Sequence, residues 1–103
     1  MSAAPDTVLE QSLLEWFDEH RTDDVALYDI TRQAATELSA VLLARKHAAA
    51  SGIERDHWEA RRELVRRQVD SLDPRDRASL AAQQDAWADE IDALEARPLR
   101  PPA

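Results

Sequence analysis

Residues 24–51, DVALYDITRQAATELSAVLLARKHAAAS, decide the fold. Within them Leu27, Ile30, Thr31, Ala34, Leu38, Val41, Leu42, Ala48 and Ala49 recur at three- and four-residue steps. That spacing places them on one face of a helix. A helix of this length spans about 40 Å at 1.5 Å per residue. The stretch contains neither Gly nor Pro, and Gly52 follows it at once, where a left-handed residue beyond a helix end is expected. Residues 24–51 therefore read as a central mast against which the rest of the chain packs.

Working outward, Thr22-Asp23-Asp24 reads as a break, with Asp23 or Asp24 capping the mast. Before it, Thr7-Val8-Leu9-Glu10 matches a capping box, and a helix over about 8–21 follows. Leu9, Leu13, Trp16, Phe17 and His20 share one face of that helix. After Gly52, a third helix is expected over about 54–71, with Ile53, Trp58, Ala60, Leu64, Val65, Val69 and Leu72 forming a broad apolar face. Asp73-Pro74-Arg75-Asp76 closes it and opens a fourth helix to about residue 96, with Asp73 as cap and Pro74 at the first position. In that helix Leu80, Gln84, Trp87, Ile91 and Leu94 step by 4, 3, 4 and 3. The expectation is an all-α antiparallel bundle of three long helices plus a shorter N-terminal one, at about 8–21, 24–51, 54–71 and 74–96. Residues 1–6 read as a flexible tail, 7–97 as one domain and 98–103 as a Pro-rich disordered tail.

Composition narrows the chemistry. The chain has 103 residues, enough for one domain. One Gly cannot supply a Rossmann or phosphate-binding loop, and the absence of Cys excludes disulfides, thiol catalysis and cysteine zinc sites. The net charge of −8 opposes nonspecific DNA binding. No basic-then-apolar leader opens the sequence and no long apolar run occurs, so a cytoplasmic protein away from membranes is expected. Twelve of the 13 basic residues are Arg, and Ala is abundant, the coding habit of a high-GC genome.

The three histidines, His20, His47 and His57, do not pair at helical spacing, and no nucleophile elbow is present. The expectation is a protein that is not an enzyme and uses neither cofactor nor metal. Arg61-Arg62 and Arg66-Arg67 interleave with Glu59 and Glu63 at three- and four-residue spacing, which reads as a salt-bridged solvent face rather than a nucleic-acid surface. Arg45, Arg61, Gln68, Gln84 and His20 fall inside apolar stripes, so each needs either a partner in a neighbouring helix or an interface.

Charge is unevenly spread. Residues 1–31 hold eight acids against Arg21 alone, a net −7, and also carry Trp16-Phe17. An acidic helix with aromatic anchors suits a basic groove: charge steers the encounter and the rings supply binding energy. The candidate partner-binding residues are Leu9, Glu10, Leu13, Trp16, Phe17, Asp18 and Glu19. The alternative is a self-associating structural or adaptor protein, a homodimer through Leu80, Gln84, Trp87, Ile91 and Leu94.

The stretch from Tyr28-Asp29-Ile30-Thr31-Arg32-Gln33-Ala34-Ala35 through Leu42, together with Ser71-Leu72-Asp73-Pro74-Arg75-Asp76-Arg77 through Trp87, resembles small helical proteins of high-GC Gram-positive bacteria, the epsilon-type antitoxins of zeta-type kinases among them. That resemblance implies a three-helix antitoxin whose N-terminal helix plugs the nucleotide site of a toxin kinase. The choice of residues 8–21 as the plug rests on their own acids and aromatics. Length, acidity and the mid-chain Gly52 also resemble small secreted helical hairpins, but their Trp-x-Gly turn is missing and Asp73-Pro74 adds a further break.

Overall fold

The computed structural model describes the backbone of residues 3–97 and the side chains of residues 24–97. It is helical, with no strand among the described residues. Helix α1 runs Ala3–His47, α2 Gly52–Asp70 and α3 Arg77–Glu95. The expected shorter N-terminal helix is not a separate element: backbone helix continues through Thr22-Asp23-Asp24. Neither Gly nor Pro stands there, and Thr and Asp each weaken a helix interior by only about 0.5–0.7 kcal/mol relative to Ala. Asp24 is an anchor rather than a cap. Its carboxylate lies 3.4 Å from Arg77 Nε, close enough for attraction though without hydrogen-bond alignment. Thr7 likewise lies inside α1, and Pro5 sits in the first turn, where a missing N–H costs nothing.

Arg45, Lys46 and His47 close α1, their charge matched to the negative end of its dipole. Gly52 is not the left-handed residue expected after it. No glycine has positive φ, and Gly52 instead opens α2. The cap is Ser51, whose hydroxyl accepts from Glu54 N–H at 3.1 Å, while Glu54 accepts from Ala50 N–H. The start of α3 also moves, from Pro74 to Arg77. Asp76 rather than Asp73 is its cap and accepts from Ser79 N–H at 3.1 Å. Asp73 folds the preceding turn by accepting from Arg75 N–H at 2.9 Å.

α2 runs antiparallel to α1, with Lys46 facing Glu59 at 3.0 Å. α3 runs back parallel to α1 in a fixed register of 49 residues. Thr31 Oγ1 lies 3.4 Å from Leu80 O, and Arg45 donates to Leu94 O. A 19-residue α3 is about 28 Å long and covers α1 from Asp24 to Arg45; the 45-residue α1 is about 67 Å long. The helix therefore continues over residues 3–23 beyond the end of the bundle, in a molecule measuring 83 × 23 × 15 Å.

The core is one stripe of α1 (Thr31, Ala34, Ala35, Leu38 and Leu42) closed by Val65 of α2 and by Leu80, Trp87 and Leu94 of α3. Thr31, the buried polar residue, donates to Leu27 O of its own helix at 2.8 Å. Ile30 and Ile53, expected on apolar stripes, are 51% and 86% exposed. Each helix backbone approaches α1 closely, whereas α2 and α3 meet through long side chains. No described helix is long and apolar enough to cross a membrane.

Candidate interaction surfaces

The heptad seam of α3, the face on which the alternative reading pairs two copies, is turned inward. Leu80, Trp87 and Leu94 are buried against α1, and Gln84 and Ile91 are half-buried beside them. The stripe is consumed within one chain: Trp87 and Leu94 share one core cluster with Ala34, Ala35, Leu38 and Leu42 of α1.

Three of the polar residues inside the stripes, Arg45, Arg61 and Gln68, find partners within the chain. Arg45 donates to the carbonyls of Leu94 and Arg97, capping the open end of α3. Arg61 makes a two-pronged pair with Glu90, with Nε donating at 2.9 Å, and this pair ties α2 to α3. Gln68 accepts a long hydrogen bond of 3.4 Å from Trp87 Nε1. Expected pairing between neighbouring helices is thus met by Arg61, while Arg45 uses backbone oxygens instead of a carboxylate.

An open groove of about 360 Å³ lies between α1 and α2, lined by Arg32, Glu59, Arg62, Glu63 and Arg66. Its charges are largely neutralised locally. Glu59 accepts from Lys46 and from Arg62, at 3.0 and 2.9 Å, and these two cations hold its carboxyl below the usual range. Arg66 pairs with Glu63, which raises its already high pKa further, and Arg67 lies 3.9 Å from the same carboxylate. Arg32 stacks over Tyr28 at 5.8 Å. The interleaved pattern forms a salt-bridged face, and Arg62, Arg66 and Arg67 are engaged by carboxylates of their own helix.

No group of three or more His, Asp or Glu side chains converges on a point among the described residues. His47 is exposed at the end of α1, and His57 is exposed with its ring edge-on to Trp58. The candidate partner-binding side chains Leu9, Glu10, Leu13, Trp16, Phe17, Asp18 and Glu19, with His20, lie outside the described side chains; their backbone belongs to α1. Sequence reasoning missed two exposed apolar residues on α1 at the end of the bundle, Val25 and Ile30, at 56% and 51% exposure. Ile30 had been absorbed into the apolar stripe; only its offset from the centre set by Leu27 and Thr31 could have separated it. No family model, curated protein or solved structure matches the chain.

Proposed function

We propose that this chain is a non-enzymatic protein-binding module that docks its acidic, aromatic N-terminal stretch on another protein. In its specific form it is an antitoxin that neutralises a kinase-type toxin. The supporting observation is the continuity of α1, whose backbone stays helical over residues 3–23, beyond the reach of α2 and α3. A stretch carried as an extension of a packed helix is held in one direction, which lowers the ordering cost of docking. Glu10, Asp18 and Glu19 would occupy a pocket that otherwise takes phosphates, and Leu9, Leu13, Trp16 and Phe17 would supply apolar anchoring. Inhibition would then be steric and electrostatic, with no covalent step and no cofactor.

The test is affinity capture from the host lysate with the tagged chain and with a Trp16→Ala/Phe17→Ala variant, followed by mass spectrometry. Circular dichroism of both proteins accompanies it. The expected outcome is stoichiometric recovery of a toxic enzyme, lost in the variant with helicity retained. Recovery of the chain alone overturns the proposal. So does joint loss of binding and helicity, because residues 16 and 17 would then belong to the chain's own core.

A further inference from the structure

We infer that the outward face of α2 pairs antiparallel with the same face of a second copy of this chain. The pairing is carried by Ile53, Ala60 and Leu64, flanked by Asp56 and Arg67. It goes beyond the N-terminal docking proposed above and does not depend on it.

At about 100° per residue, Ile53, His57, Ala60, Leu64, Arg67 and Ser71 fall within about 80° of one another along α2 and its cap. All six are exposed, Ile53 at 86% and Leu64 at 46%. Trp58, Val65 and Val69, which face the core, lie about 140° away around the same helix. Neither α1 nor α3 therefore covers the stripe. Beside its second half lies an open groove of about 350 Å³ between α2 and the start of α3, lined by Leu64, Gln68, Ser71, Leu72, Ser79 and Gln83.

The two ends of the stripe complement each other. In an antiparallel pair centred near Arg62, Ile53 faces Ser71 of the second copy and meets the open groove beside it. Leu64 faces Ala60 of the second copy, so each large side chain opposes a small one. Asp56 and Arg67 lie within about 20° of one another and flank the stripe on the same side. They stand at nearly matching distances from the centre, so each Asp56 faces Arg67 of the other copy. Arg67 is 75% exposed, and the Glu63 carboxylate on its own helix is 3.9 Å away, too far for a hydrogen bond. Residues 53–60 hold three acids against Arg55, and residues 61–72 hold four Arg against two acids. Antiparallel pairing sets the acidic half on the basic half, whereas a parallel pair sets like on like. The chain's net −8 does not stand on this face, since residues 53–72 hold five acids and five Arg. One helix face is smaller than the roughly 800 Å² per partner of a standard interface, so the dimer is weak and concentration-dependent.

The test is sedimentation equilibrium of the full chain over rising concentration, with circular dichroism confirming that every variant folds alike. The expected result is a reversible dimer whose Kd rises at least about tenfold in Ile53→Glu, in Asp56→Arg and in Arg67→Asp. Ile53→Leu, the conservative control, keeps the dimer. Mixing the Asp56→Arg and Arg67→Asp chains is the sharper measurement, because both cross-pairs then become attractive. The expected mixture is a heterodimer at concentrations where each variant alone is monomeric. A wild-type chain that remains monomeric at millimolar concentration overturns the inference. So does a dimer indifferent to all three substitutions, which would place the contact elsewhere. If the single variants weaken the dimer but their mixture does not restore it, the antiparallel register is wrong and the inference fails. None of these outcomes touches Trp16 or Phe17, so the N-terminal docking role stands or falls by its own capture experiment.

Discussion

α2 and α3 have the same length, 19 residues each, and both lie against the same stretch of α1, yet they are held by different forces. α3 contributes three buried apolar side chains, Leu80, Trp87 and Leu94, and its open end is closed by Arg45. α2 contributes one, Val65, with Trp58 and Val69 half-buried against the same core, and adds charged pairs: Glu59 with Lys46, and Arg61 with Glu90. Apolar burial is worth about 1.5–3 kcal/mol for a large side chain, while partly exposed ion pairs contribute about 0–1 kcal/mol each. α1 and α3 therefore form the more deeply buried, parallel pair, and α2 is the looser strut between them in sequence. Helices that share a partner need not share its stability.

The largest test of this contrast is truncation of the two cores. Trp87→Ala should cost about 3–5 kcal/mol, a large part of the 5–15 kcal/mol typical of a whole domain. Val65→Ala removes two methyl groups and should cost about 2 kcal/mol. Urea unfolding followed by circular dichroism measures both. Equal losses would mean that α2 is as deeply seated as α3, and the contrast would disappear.

Acid should separate the helices next. Glu59 titrates below its ordinary value of 4.5 in the folded protein, first because of Lys46 and then because of Arg62. A carboxylate with a lowered folded pKa stabilises above its unfolded pKa and loses that contribution as pH falls through the folded value. The effect is thus complete above about pH 4.5 and fades below it. Asp76 behaves alike at the α3 cap, lowered by the Ser79 hydroxyl and then by its backbone N–H. Amide exchange should therefore speed up along the body of α2 as pH drops below about 4.5, and only in the first turn of α3, as pH drops below about 3.8. Glu59→Gln should remove the α2 change and Asp76→Asn the α3 change. Uniform acceleration in both helices would show that the molecule opens as one unit.

How much of this was legible in the sequence follows the same division. The stripe of Thr31, Ala34, Leu38 and Leu42 and the seam of Leu80, Trp87 and Leu94 are long, regular periodicities, and both are buried. Helix ends were harder to read, because Ser, Thr and Asp serve equally as caps and as interior residues. Thr22-Asp23-Asp24 resembles a cap, yet α1 runs through it, and Asp24 lies beside Arg77, 53 positions away, a contact invisible locally. Ser51-Gly52-Ile53-Glu54 is the converse: it has the Ser-x-x-Glu spacing of a capping box, with Ser51 accepting from Glu54 N–H and Glu54 from Ala50 N–H, one residue before the cap. Pairing of Arg61 follows from its place in a stripe, but the choice of Glu90 depends on how α3 returns. The partner-facing side was legible only as charge and aromatic content, since what completes it is not encoded in this chain.

The smallest expected effect concerns that glycine. Gly52 occupies the first helical position of α2 with φ in the ordinary negative range, and a Cβ placed there would meet nothing within 4 Å. Ala needs no new space and restricts the unfolded chain, so Gly52→Ala should stabilise by about 0.4–1 kcal/mol. In a chain of this size that is a rise of a few degrees in Tm. The gain should be concentrated where stability is least, slowing amide exchange in the first turns of α2 and leaving α3 unchanged. A fall in Tm instead would mean that residue 52 needs a left-handed backbone, and would restore the simpler assignment of Gly52 as the terminator of α1. Equal slowing in α3 would show the two helices to be coupled more tightly than their different fastenings imply.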